Sequence, residues 1–183
     1  MLVGLSAAYH NHAGNCFISG NLEAAIRDFG EALKIDPNFD LAYYNRGHVW
    51  EELGNRERAL QDYDKAISLD GNYADYYDAR GVARFRAAAV QTALQDLNRA
   101  IQLNPKNPNY YEHRCVIRAH SGDAVGAMDD LQHAANIYKE QGQQNDSQKM
   151  WQWLNAIKAQ NYTILTMPDE SGRDFSPASV STN

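Results

Sequence analysis

A 34-residue period constrains this chain more than any other of its features. Laid in register, residues 6–39, 40–73, 74–107 and 108–141 align without a gap. The fourth column then reads Tyr9, Tyr43, Tyr77 and Tyr111, and the twentieth Ala25, Ala59, Ala93 and Ala127. The twenty-third reads Asp28, Asp62, Asp96 and Asp130, and the twenty-seventh Ala32, Ala66, Ala100 and Ala134. Self-similarity at such a period marks one supersecondary unit, repeated and stacked so that neighbours supply one another's core.

The spacing within each copy says what the unit is. Positions 4, 8 and 11, then 20, 24, 27 and 28, recur at helical intervals and define the inward faces of two helices. The eighth column is small (Ala13, Gly47, Gly81, Cys115) and the twenty-fourth large and apolar (Phe29, Tyr63, Leu97, Leu131). Two helices can therefore approach closely at the small residues while the large ones fill the space beside them. Between the helices stand Gly20-Asn21, Gly54-Asn55 and Gly122-Asp123, residues that accept the left-handed conformation in which helices end. The third copy has Ala88-Ala89 instead. A positive φ at Ala88 would cost roughly 1–2 kcal/mol, so the expectation is a different turn or a softer spot at 87–90.

These columns, with Tyr43-x3-Gly47, Ala59-x3-Tyr63-x2-Ala66 and the closing Asp36-Pro37 and Asn104-Pro105, resemble the tetratricopeptide repeat family over about three quarters of the chain. The resemblance implies an all-α, right-handed superhelical solenoid of antiparallel helix hairpins with a concave side, and a role in protein–protein interaction. Beyond the fourth copy, Met150, Trp153, Leu154 and Ile157 share a helical face, which predicts a capping helix at about 146–160. Trp151 lies off that stripe, Asp146 is the expected N-cap, and 141–145 the loop before it. The solenoid is thus expected over 1–160. Residues 161–183, rich in Pro, Asp, Ser, Gly and Thr, read as a flexible C-terminal tail.

Charge and cysteine content narrow the partners. A net charge of -6 and a pI near 5.4 leave no positive surplus for phosphates, so nucleic acid is not expected. No basic leader opens the chain and no apolar run approaches the roughly 18 residues of a membrane span, which gives no membrane insertion and a cytoplasmic location as the expectation. Cys16 and Cys115 are the two cysteines; their separation suggests neither a disulfide framework nor a cysteine-rich zinc site.

The candidate binding surface is the face of each first helix that points away from its own partner helix. Positions 2, 5, 9 and 12, with the adjacent thirteenth, have that spacing. From these positions the groove set takes His10 and Phe17 in copy one; Tyr44, His48, Glu51 and Glu52 in copy two; Asp75, Asp78, Val82, Phe85 and Arg86 in copy three; and Glu112, Val116 and His120 in copy four. Unlike the core columns they differ from copy to copy, as a surface adapted to one ligand would. Carboxylates face Arg86 alone, with Tyr44, Phe17, Val82 and Phe85 as apolar or aromatic anchors, so the expected partner is a protein or peptide segment with basic and apolar side chains. Family relatives that bind heat-shock chaperones hold a C-terminal carboxylate with Lys, Arg and Asn at the fifth, ninth, second and sixth positions. Here Asn11 and Asn45 remain at the sixth, but the fifth reads His10, Tyr44, Asp78 and Glu112. Acidic groups there would repel a carboxylate, so a chaperone tail is not the expected ligand.

Other chemistry finds little support. His10-Asn11-His12 resembles the label of a nuclease motif, whose hairpin-and-helix metal site this register does not provide. His113 and His120 stand two turns apart, roughly 10 Å of rise, too far to share an ion. With no phosphate loop, no Ser/His/Asp arrangement and no paired carboxylates in an evident pocket, neither enzyme activity, nor a cofactor, nor a metal is expected. A small ligand or carbohydrate on Tyr44 and Phe85 is disfavoured because a groove between stacked helices is open. Arg46, Arg80 and Arg114 in the seventh column suggest a ladder of ion pairs between successive copies, such as Asp62 with Arg80. The alternative to an adaptor or assembly scaffold is a structural part of a longer protein or a homo-oligomer, joined through the exposed first edge at 2–18 or the Trp-bearing C-terminal helix.

Overall fold

The computed structural model describes residues 2–159, with side chains from 4 to 158. The elements among them are α-helices: α1 Leu2–Ile18, α2 Leu22–Ile35, α3 Asp40–Glu52, α4 Arg56–Leu69, α5 Ala74–Arg86, α6 Val90–Leu103, α7 Pro108–His120, α8 Ala124–Glu140 and α9 Gln144–Ala159. The first eight fall two to each 34-residue register, which makes the molecule an all-α repeat solenoid. The chain divides into two compact units, Met1–Ala83 and Arg84–Asn183. In the first, α1 packs on α2, α2 on α3 and α3 on α4; in the second, α6 packs on α7, α7 on α8 and α8 on α9. The segment 161–183, read from the sequence as a tail, lies outside the described residues.

Small residues set how closely the helices approach. All eight alanines of the twentieth and twenty-seventh columns are fully buried, and so are Phe29, Tyr63, Leu97 and Leu131 beside them. In the second repeat the eighth residue is fitted closely to the twenty-fourth. At Gly47 an added Cβ would lie 2.5 Å from Cε1 of Tyr63, so the placement of that ring leaves room for hydrogen alone. The first repeat holds Ala13 and the smaller Phe29 in one cluster with Ala25, Leu33, Ala42 and Val49.

The helix ends follow from two turn chemistries. Within a repeat the glycine takes positive φ (Gly20 at 77°, Gly54 at 74°, Gly122 at 85°), and the next residue returns its N–H to the helix, as Asn21 does to Cys16 at 2.8 Å and Asp123 to Arg118 at 2.9 Å. Asn21, Asn55 and Asp123 then cap the following helix through their side chains. Ala88-Ala89 forms the same turn: Ala88 sits at φ 60° and Ala89 donates to the Arg84 carbonyl at 2.9 Å. The expected alternative turn is thus not used, because the hydrogen bonds of the shared geometry outweigh the strain of a Cβ at positive φ, and α6 starts without a side-chain cap. Between repeats, Asp36, Asp70 and Asn104 accept from the N–H two residues on and stop α2, α4 and α6. The fourth repeat has Tyr138 in that column, and α8 continues to Glu140.

That extension corrects the reading of the C-terminal cap. Gly142, at φ 79°, provides a further left-handed turn, Gln143 donates to Tyr138 at 2.8 Å, and α9 begins at Gln144. The loop is shorter than 141–145, and Asp146 lies inside the first turn rather than at the N-cap. Met150, Leu154 and Ile157 are buried and Trp153 half-buried, with Trp151 at the edge of exposure. Ser147, also buried, donates its hydroxyl to the Ala135 carbonyl at 2.9 Å.

Candidate functional site

Much of the charge on the helix faces is committed to holding the repeats. Arg46 clasps Asp62 with two bonds of 2.7 Å. Arg114 engages both oxygens of Asp130 with three bonds, and Arg118 adds a fourth guanidinium contact at 2.9 Å. Arg84 reaches Asp96 at 2.8 Å. The aspartate column is therefore satisfied inside its own repeat, because the seventh and eleventh positions of the first helix lie across from the twenty-third of the second. This corrects the expected Asp62–Arg80 pair. Contact with the preceding repeat runs instead to its twenty-fifth position, Arg80 to Asp64 and Arg114 to Asn98, each at 2.6 Å. Arg46, Arg80 and Arg114 also lie over Tyr43, Tyr77 and Tyr111 at 5.6–5.7 Å. The hydroxyls of Tyr77 and Tyr111 donate to the turn carbonyls of Gly71 and Pro105, each at 3.2 Å.

In the first compact unit, His10 and Tyr44 of the expected set each belong to an aromatic group. His10 packs its ring 4.8 Å from Phe39 and 5.5 Å from Phe29, and its Nε2 accepts from the Asn45 amide at 2.8 Å. Phe17 is half-buried against the same cluster. Tyr44 lies 4.6 Å from the His48 ring, 5.0 Å from Tyr76 and 6.1 Å from Tyr63. Tyr63 donates to Glu51 at 3.0 Å and Tyr76 to Asp40 at 3.0 Å; burial, reinforced by that carboxylate, pushes the Tyr76 phenol far above its ordinary value. Glu51, Asp75 and Asp78 are half-buried and Glu52 is exposed.

The same positions behave differently elsewhere. Val82, Phe85 and Val116 are buried, so they line the helices' own packing and are not the exposed anchors expected of them; Phe85 instead meets the ring of His120 at 5.4 Å. Arg86 and Glu112 are half-buried and His120 exposed. In the second unit Tyr138 hydrogen-bonds to Glu112 and, at 3.1 Å, to Asn109. Tyr138 and Asn109 help line a polar recess of about 590 Å³ with Lys106, Gln141, Gln143 and Asp146, which sequence reasoning missed because its walls come from a turn, the end of α8 and the start of α9 rather than from one helix face. Burial pushes the Cys115 thiol far up, as suits a packing residue.

With this geometry in view, the family models and known structures agree. A TPR repeat model matches residues 15–54, and a tetratricopeptide repeat model residues 41–73. The chain is a tetratricopeptide repeat protein. The MamA protein crystal structure superposes with a TM-score of 0.66 at 22% identity, covering 90% of this chain and 98% of that one. YrrB, described as a TPR protein with an unusual peptide-binding site, gives 0.61 at 22% identity over 84% of this chain and 85% of that one. The first TPR of Spaghetti (RPAP3), bound to the HSP90 peptide SRMEEVD, gives 0.62 at 23% identity over 64% and 93%. No curated protein matches the sequence significantly.

One grouping in this tetratricopeptide repeat protein escaped the sequence reading altogether. His12, Cys16 and Asp28 converge in the first repeat, with His12 Nδ1 2.5 Å from Asp28 Oδ2 and Cys16 Sγ 3.8 Å from the imidazole. The signal was present in the seventh column, where His12 stands in place of Arg46, Arg80 and Arg114, and in the eleventh, where Cys16 stands against Trp50, Arg84 and Arg118. Among the described residues, no helix is long and apolar enough to cross a membrane.

Proposed function

We propose that the protein is an interaction module that binds a peptide segment of a partner protein, without enzymatic activity of its own. The supporting observation is the Tyr44–His48 pair of the first compact unit, half-buried on α3 and backed by the rings of Tyr63 and Tyr76. An aromatic surface held rigid on a helix loses little entropy when a ligand covers it. Helical register puts Glu51 and Glu52 one turn along the same helix, and Asp75 and Asp78 on the corresponding face of α5. The complementary ligand carries Lys or Arg beside an aromatic or aliphatic residue, with affinity in the micromolar range, roughly -8 kcal/mol. The structural neighbours solved with a peptide or described as having a peptide-binding site support a peptide as the kind of ligand, while its basic character rests on the carboxylates alone, and the acidic fifth positions speak against a carboxylate-ended chaperone tail.

Selection from a displayed random peptide library tests the reading. The expected outcome is enrichment of basic-apolar segments, with binding reduced about tenfold or more by Tyr44→Ala combined with Asp78→Lys. Enrichment of acidic C-terminal peptides, or equal binding by the folded double variant, would overturn it. The structural alternative has its own support in Leu5 and Ile18, both exposed on α1; mass that rises with concentration, and falls back in Ile18→Lys, would favour it.

A further inference from the structure

We propose that the first repeat holds a zinc-class divalent cation on His12 Nδ1, Cys16 Sγ and an Asp28 oxygen, in the place that guanidinium groups take in the repeats after it. The twenty-third-column carboxylate is met by Arg46 at Asp62, by Arg84 at Asp96, and by Arg114 and Arg118 at Asp130. In the first repeat the seventh position is His12 and the eleventh Cys16, neither of which carries a fixed positive charge. The same backbone frame that aims arginines at an aspartate thus aims an imidazole and a thiol at one.

The geometry suits a metal. His12 and Cys16 stand four residues apart on α1, one above the other on a single face, and Asp28 reaches them from α2. The Nδ1–Oδ2, Sγ–Nδ1 and Sγ–Oδ2 separations are 2.5, 3.8 and 4.0 Å. Metal–ligand bonds of zinc in a tetrahedron bring such atoms to about 3.3–3.7 Å from one another. The sulfur therefore closes slightly, while imidazole and carboxylate part as the ion replaces the proton they share. The His12 side chain, 69% exposed, is free to make that movement. Among the described residues no other set of three His, Cys, Asp or Glu side chains draws its ligand atoms this close.

Donor chemistry selects the ion. A thiolate with an imidazole and one carboxylate is a borderline-soft set, suited to zinc or cobalt and not to the all-oxygen preference of calcium or magnesium. Thiolate and carboxylate together neutralise a divalent cation, as one guanidinium neutralises Asp62. Three protein ligands leave a fourth position for water or an incoming donor.

Cobalt reports thiolate ligation directly. Metal-stripped, reduced protein titrated with Co²⁺ is expected to take up one equivalent with a thiolate-to-cobalt charge-transfer band that Zn²⁺ abolishes by displacement. Cys16→Ser should lose the band, since the other thiol, Cys115, is buried. Asp28→Asn and His12→Arg should each weaken binding at least about tenfold, the loss that even supporting residues of such sites produce. His12→Arg is also the control for folding, because it installs the arginine–aspartate pair of the second repeat: its melting temperature should ignore Zn²⁺ while that of the wild type rises. The proposal is overturned if the wild type shows neither band nor zinc-dependent melting, if Cys16→Ser keeps the band, or if His12→Arg binds as the wild type does.

Discussion

Asp28 and Asp130 occupy the same column of the repeat in different surroundings. Asp130 is 1% exposed and receives three guanidinium hydrogen bonds on its two oxygens from Arg114, with another from Arg118. The Asp28 side chain is 19% exposed, and its partners are an exposed imidazole and a thiol. One frame has thus been furnished twice, once as a closed electrostatic tie and once as a site that water and ions can reach. Repetition fixes where the groups stand, and the residues at the seventh and eleventh positions decide whether they only hold the fold.

The largest expected effect breaks the closed tie. Asp130→Ala removes the buried carboxylate that two guanidiniums share, and a buried pair broken on one side costs about 3 kcal/mol. Asp28→Ala in metal-free protein should cost under about 1 kcal/mol, as for an exposed pair. Urea unfolding of both variants makes the comparison, and equal losses would remove the distinction. The pH dependence sharpens it. Burial raises the Asp130 pKa above its ordinary 3.8 even though Arg114 and Arg118 pull it down. A folded value above the unfolded one means that the native state binds the proton more tightly. The contribution of Asp130 to stability is therefore fully present below pH 3.8 and declines as pH rises through the folded value. Asp130→Asn mimics the protonated form, so the stability of wild type relative to it should fall across that window. A rise would mean that the arginines outweigh burial.

A second contrast lies in the core, where the first repeat closes with Ala13 against Phe29 and the second with Gly47 against Tyr63. Gly47→Ala puts a Cβ 2.5 Å from the Tyr63 ring. Overpacking of this kind costs about 2 kcal/mol, and because the ring carbons the Cβ meets persist in Phe, it is Gly47→Ala with Tyr63→Leu, the residue type of the fourth repeat, that should recover part of it while losing the hydroxyl's bond to Glu51. Chemical denaturation of the single and double variants measures the coupling. Full additivity would show that the eighth and twenty-fourth columns do not answer each other.

Most of the fold was legible because the columns are written in residues with few alternatives. A buried alanine at a helix crossing, or a glycine followed by Asn or Asp, has one ready meaning. The ion pairs were half legible: Arg and Asp columns announce pairing, but which helices they join depends on the twist of the hairpin, and Asp62 met Arg46 rather than Arg80. The face residues were least legible. Val82, Phe85 and Val116 have the outward spacing of Tyr44 yet are buried, since exposure depends on packing neighbours that spacing alone does not count. His12, Cys16 and Asp28 went unread as a set because ligands on two helices are distant in sequence, and only the hairpin brings them together.

The smallest effect concerns the third repeat, whose turn keeps the common geometry without the residues that favour it. Ala88 holds φ 60° and Ala89 caps nothing, whereas the second repeat has Gly54 at 74° and Asn55 accepting from Arg58 at 3.2 Å. Ala88→Gly removes the Cβ strain but gives the unfolded chain more freedom, leaving a net gain of about 1 kcal/mol. Ala89→Asn supplies the missing acceptor to the start of α6 and adds about 1 kcal/mol. Gly54→Ala should cost the second repeat about what Ala88→Gly returns to the third. Because stability in a repeat array is partly local, hydrogen exchange in α6 should slow in the Ala88→Gly, Ala89→Asn variant more than in α1 and α2. A gain spread evenly over all helices would mean that the array unfolds as one body, and no gain at all would mean that the hydrogen bonds of the shared turn already absorb the strain of Ala88.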